Sequence, residues 1–310
     1  MTLHHALAQH FVFVNLGAGG DADYQLPADL QRTITLLELD AGDVAARTSE
    51  AFAAKISLRS VVAGSAGPRL FRRRAFWGAS SLLESRPEVV AAFGLAHLDR
   101  VVETQAVEAV TLPELLRQHQ IETVDFLKTD LEGLDFEVIR SCADLLPRLL
   151  ALQCELRFTP YFQDEPRFPE VAHYLHAHGF ELMRLLPEYW KHHTPHRADH
   201  VDGQLIWADC VFLKRPDCLP AELLQAPALA LAKLILLAGM LEHRSYAEWL
   251  FERYRPALAA DWLPALRPIR RAFGSLARLT GAGPWLRRVL DRLRPPADSP
   301  GLAHIVRDLP

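Results

Sequence analysis

No two cysteines of this chain stand in a C-x-x-C spacing: Cys142, Cys154, Cys210 and Cys218 are scattered over the 310 residues. That excludes the usual structural zinc ribbon and the dense disulfide framework of a small secreted domain. The opening "MTLHHALAQH" has no basic segment followed by an apolar core, so it does not read as a signal peptide. Long apolar runs are missing too. The best of them, "APALALAKLILLAGML", is short for a span and carries Lys233 near its middle, which would cost about 3 kcal/mol in a bilayer. The expectation is a cytoplasmic protein with no transmembrane helix. There is no H-E-x-x-H and no G-x-G-x-x-G, and no internal repeat is evident. The net charge of −4 gives no electrostatic reason to expect nucleic acid as a partner.

What is present is a composition for a large core, with 50% hydrophobic and 23% charged residues. The length predicts one large domain plus an appendage, divided as 1–216 and 217–310. Charge supports the division. Residues 265–310 hold nine Arg and three Asp, a net +6 that leaves −10 for residues 1–264. Leu263, Leu266, Ile269, Phe273 and Leu276 recur at helical spacing, as do Trp285, Val289, Leu290 and Leu293, with arginines between them. These basic helices predict a contact with the acidic main domain, with a second subunit, or with an anionic membrane surface.

Along the chain, apolar strands alternate with helical patterns. "HFVFVNLGAGG" reads as a buried strand entering a glycine turn, and "ITLLELD" as a second strand ending in acid. "TLPELLRQHQI" predicts a helix capped by Thr111, "VDFLKT" a strand, and "LDFEVIRSCADLL" the helix after it. "LLALQCELRF", "FELMRLL" and "QLIWADCVFLK" complete the strands, with a helix over "FPEVAHYLHAHG" that Gly179 closes. This order predicts an α/β fold with a parallel sheet covered by helices on both faces. Ligands of such sheets bind beyond the carboxyl ends of the strands, where the strand order reverses. Gly17, Ala18 and Gly19 end the first strand, Glu38 the second, Asp130 and Glu132 a central one, and Glu155 a fourth.

A glycine turn after one strand and an acid after the next suit a nucleoside-bearing cofactor, and Glu38 stands 21 residues beyond Gly17, near the separation for a carboxylate on a ribose diol. Asp21 would repel a pyrophosphate. A cationic cofactor without phosphate, such as S-adenosyl-L-methionine, tolerates it. The stretch "VDFLKTDLEGLDFEVIRS" then resembles the signature of the FkbM-like methyltransferase family. It agrees at Asp125, Phe126, Lys128, Asp130, Glu132 and Gly133, with Asp135 in place of the family's Glu. "VNLGAGG" is similar to the family's cofactor turn, "LLELDAG" to its acid-bearing segment, "ASSLLESRP" to a serine loop, and "LLALQCELRF" to the strand after the signature. The resemblance runs from about Phe11 to Lys214. Asn15 replaces the usual Asp, and Asp21 the usual second Gly.

The resemblance implies a Rossmann-like class I methyltransferase sheet with a C-terminal helical extension, and S-adenosyl-L-methionine as cofactor. It implies that Asn15, Gly17, Ala18, Gly19, Glu38 and Asp130 hold that cofactor. It further implies that Asp130, Glu132 and Glu155 carry the transfer to a hydroxyl of a small-molecule, sugar or glycan-type acceptor. Which acid removes the proton stays open, and no metal is expected. His192, His193, His196 and His200 in "KHHTPHRADH" are read as a polar loop or acceptor lid. Two other readings compete: an NAD-dependent oxidoreductase, disfavoured by Asp21 and the missing phosphate pattern, and a non-catalytic partner-binding module.

Overall fold

The computed structural model describes residues 2–8, 11–17, 28–42, 52–193 and 203–266. Ten strands occur among them: β1 (Phe11–Leu16), β2 (Ile34–Asp40), β3 (Ala54–Arg59), β4 (Val61–Val62), β5 (Gly67–Arg74), β6 (Val101–Val110), β7 (Phe126–Thr129), β8 (Ala151–Arg157), β9 (Phe180–Trp190) and β10 (Gln204–Lys214). The helices are α1 (Leu3–Ala8), α2 (Ala28–Gln31), α3 (Pro87–Ala92), α4 (Ala96–Asp99), α5 (Leu112–Gln118), α6 (Asp135–Ser141), α7 (Phe168–Ala177), α8 (Leu229–Met240), α9 (Arg244–Tyr254) and α10 (Leu263–Leu266). Ala18, Gly19, His196, His200 and everything after residue 266, including most of the arginine-rich helices, lie outside the described residues.

Seven strands form one sheet in the order β3-β2-β1-β7-β8-β10-β9. β1, β2, β3, β7 and β8 run parallel, but β10 is antiparallel to both of its neighbours. The sheet is therefore mixed, which corrects the expectation of an all-parallel one. β9 and β10 pair antiparallel over most of their length, and β10 in turn lies antiparallel to β8. The strand order reverses between β1 and β7, so the switch-point crevice opens at Gly17 and Asp130.

Two cores lie on the two faces of the sheet. α5, α6 and α7 cover one, around Val14, Leu127, Val138, Leu152 and Val171. Thr111 begins α5 as the sequence predicts, its hydroxyl and the Glu114 carboxylate making a reciprocal capping box. α6 stops at Ser141, before Cys142, Ala143 and Leu146, which the helical pattern had included. α1, α8, α9 and α10 cover the other face, around Phe13, Phe126, Leu213, Leu234 and Trp262. Helices beyond residue 216 thus share one core with the sheet, and the expected boundary there is not a break between cores among the described residues.

Lys233 explains its own place in that apolar helix. Its ammonium reaches both carboxylate oxygens of Asp125 at 2.8 and 2.9 Å, and Asp125 also accepts from the Val12 amide at 2.9 Å. Among the described residues no helix is long and apolar enough to cross a membrane.

A second sheet, order β4-β6-β5, forms between β3 and α5. The sequence reading did not anticipate it, because only a small core around Ala109, Leu82 and Leu134 covers part of one face, so "RLFRRR" and "VVETQAVEAV" show little of the apolar alternation that a full core would impose.

Candidate active site

Three residues share one register row across the main sheet: Glu38 on β2, Asn15 on β1 and Lys128 on β7. Residues in register emerge on the same face, here the face that carries Phe13, Leu36 and Phe126 two residues earlier. The apolar half of that face lies under α8. Its carboxyl-terminal half turns polar, and the row continues through Gln153 on β8 to Glu155 and Arg157, two and four residues on.

Gly17 ends β1 with φ +75°, and a Cβ there would collide with the backbone carbonyl of Asp130. The Asp130 amide donates to the Leu16 carbonyl at 3.1 Å, so the tips of β1 and β7 are bound edge to edge. Only glycine permits this approach, and it leaves the Asp130 backbone flush with the turn. Asn15 is 3% exposed, and its side-chain oxygen finds no hydrogen-bond partner among the described residues.

The carboxylates of Asp130, Glu132 and Glu155 converge, with one oxygen from each within 4.8 Å of the others. Glu132 has φ +48° and Gly133 +95°, a turn that swings the Glu132 side chain back toward β8. Ser81 fixes the turn from outside by donating to the Glu132 carbonyl at 2.8 Å. Arg157 holds the acids together. Its Nη2 stands 2.6 Å from Glu155 and 3.0 Å from Glu132, and its Nε 3.2 Å from Glu165. Glu165 is anchored in turn by the amides of Tyr161 and Phe162 at 2.8 and 3.0 Å.

Burial pushes the Glu155 carboxyl well above the ordinary carboxylate range. The Arg157 guanidinium opposes that push, and Glu132, Asp130 and Asp209 add to it. Asp135, 2% exposed at the start of α6, is raised to about 7, chiefly by burial, with Asp130 contributing.

Every predicted site residue that the structure describes lies on the crevice side of the sheet, but Glu38 has a partner the sequence reading did not name. Lys55 on β3 pairs with it at 2.8 Å. Arg157 stands two residues beyond Glu155 on β8, a spacing that sets both side chains on the same face, and the two pair at 2.6 Å. Ser81 lies in the "ASSLLESRP" stretch that resembles the family's serine loop, whereas Glu165, which binds loop amides, has no sequence signature of that role. His192 packs on the Phe93 ring at 4.6 Å, and the His193 amide donates to Ala92 at 2.7 Å, so these two dock on α3. Among the described residues the grouping with metal-ligand geometry is the Asp130, Glu132 and Glu155 cluster, which Arg157 already supplies with positive charge.

A seven-stranded sheet with this order, one antiparallel strand and acids gathered at the switch point is a Rossmann-like methyltransferase fold. Residues 59–182 match the family model described as the methyltransferase FkbM domain. The matched stretch spans the second sheet, the signature and β8, while Asn15, Gly17 and Glu38 precede it. No curated protein matches the chain, and no solved structure matches it.

Proposed function

We propose that the protein is an S-adenosyl-L-methionine-dependent O-methyltransferase. The observation that carries the reading is the convergence of Asp130, Glu132 and Glu155 beside the Gly17 turn, at the point where the strand order reverses. The residues fit such a cofactor in three ways. The Gly17–Asp130 contact leaves a backbone floor without side chains, the buried Asn15 oxygen is available to a donor, and the acid cluster favours positive charge. When bound, the cofactor supplies a methyl group on a sulfonium, already activated for in-line displacement.

The chain's own residues then have three tasks. Asn15 and Asp130 hold the cationic methionine portion near the β1 turn. Glu38 accepts from the ribose hydroxyls, with Lys55 keeping its carboxylate in place. Glu155 would take the proton of the acceptor hydroxyl, with the cofactor giving up its methyl group to that hydroxyl's oxygen and leaving as the neutral thioether, and the raised affinity of Glu155 for protons suits that task. Arg157 holds Glu155 and Glu132 at fixed separation, so the base needs no reorganisation. The acceptor is a small-molecule or saccharide hydroxyl, a class taken from the resemblance.

Calorimetry with S-adenosyl-L-methionine tests the cofactor, and Glu155→Gln and Glu132→Gln test the acids. The expected result is micromolar-scale binding that Glu38→Ala weakens, and turnover of labelled methyl groups that Glu155→Gln removes without loss of binding. Heat with NAD but none with S-adenosyl-L-methionine overturns the reading.

A further inference from the structure

Trp77 is a large apolar side chain left 46% exposed, and it stands where the second sheet meets the crevice. The Ser60 amide donates to the Asp40 carbonyl at 2.9 Å, so β4 starts at the tip of β2. The Asp40 carboxylate turns back to accept from the Gly42 amide at 2.7 Å, and the Trp77 indole packs on that turn. A Cβ built on Gly42 would lie 2.9 Å from Cζ2 and 3.4 Å from Cη2 of the ring. The indole therefore touches the chain four residues past Glu38, at the rim of the crevice.

The ring is fixed from behind. Trp77 opens a single 3-10 turn, Trp77–Ala79, and the Ala79 carbonyl accepts from Arg74 Nη1 at 2.9 Å. Arg74 is buried. Its Nε donates to Asp99 at 2.9 Å, and its amide donates to the Ser80 hydroxyl oxygen at 3.0 Å. The Phe71 ring stands beside the indole, centres 6.0 Å apart, and packs in turn on the small core of Ala63, Leu82, Ala109 and Leu134. A half-exposed indole returns only part of its apolar area to folding, yet a buried guanidinium holds the turn that carries it. Such support is what a preorganised contact surface requires.

We propose that Trp77 is the stacking platform for the adenine ring of the cofactor, an inference that rests on the methyltransferase reading of the same crevice. The shape of a nucleoside selects this position. A ribose carries its base and its 5′ substituent on opposite sides of its diol edge. With the diol on Glu38 and the sulfonium chain toward Gly17 and Asp130, on the β1 side of β2, the base leaves toward β3. That is the side on which the second sheet begins, and its β5 leads directly into the turn of Trp77. Every base has a π-face, which an indole receives without a hydrogen bond. Trp77 thereby holds a part of the cofactor remote from the transferred methyl group, so its loss lowers affinity and leaves the transfer step intact.

Calorimetry and tryptophan emission of the full chain, both with S-adenosyl-L-homocysteine, test the proposal. Trp77→Ala should bind the ligand roughly 10-fold more weakly than the parent, the low end for a base on an aromatic ring. Trp77→Phe keeps an aromatic face and should recover most of that affinity. The ligand should quench the emission of the parent more than that of Trp77→Phe, because the indole in contact with the base is then gone. This comparison uses only the conservative variant, so it decides the matter even where Trp77→Ala does not fold. A parent that binds while Trp77→Ala binds equally well, or a quench that Trp77→Phe leaves undiminished, overturns the stacking role and leaves the methyltransferase reading standing. A parent that does not bind S-adenosyl-L-homocysteine overturns both.

Discussion

Arg157 Nη2 stands 2.6 Å from Glu155 and 3.0 Å from Glu132, so one guanidinium binds two acids that would otherwise repel each other. Arg157 is a positioning residue on this geometry. Lysine offers one point charge and cannot span three carboxylates from the same place. Arg157→Lys should lower turnover roughly 10²-fold, the scale of a misplaced catalytic group. Its guanidinium favours ionised Glu155, so weakening that contact raises the carboxyl further. The acid limb of the pH–rate profile should accordingly move to higher pH. An unmoved limb with reduced turnover would assign Arg157 a purely structural part.

Gly17→Ala places a methyl group against the Asp130 carbonyl and forces a left-handed backbone on an L side chain. The backbone conformation alone costs about 1–2 kcal/mol. Cofactor affinity should fall more than thermal stability does, because the collision displaces the floor of the crevice rather than the core. Paired calorimetry and thermal melts measure the two effects.

Asp135 gives the protein a pH-dependent stability. Its folded-state value of about 7 lies above the ordinary 3.8, so the folded chain holds a proton that the unfolded chain releases. Stability should fall as pH rises from about 4 to about 7 and then level off. Asp135→Asn mimics the protonated side chain and keeps an oxygen for the Leu131 amide, which Asp135 now receives at 3.3 Å. The variant should melt higher than the parent at pH 8, with the difference gone at pH 4. Equal melting temperatures at both pH values would place the Asp135 proton elsewhere.

Lys233→Ala takes the ammonium from Asp125 in a buried setting, where breaking such a pair costs about 3–5 kcal/mol. Lys233→Met combined with Asp125→Asn should recover part of that loss, since neither side chain then carries buried charge. Chemical denaturation of both variants checks the order.

The sequence alone determined the alternation of elements, the strand-end positions of Asp130, Glu132 and Glu155, and the family of the signature. Those follow from local rules: apolar period, helix caps, and a glycine turn that needs positive φ. Lys233 in an apolar helix was legible as evidence against a membrane span, but its partner Asp125 is 108 residues away and could not be read. The reversed β10, the second sheet, and the Lys55–Glu38 and Arg157–Glu165 pairs were decided by tertiary structure. Each depends on which strands become neighbours. That choice is made by closing loops and burying faces across the whole chain, and no short window of sequence records it.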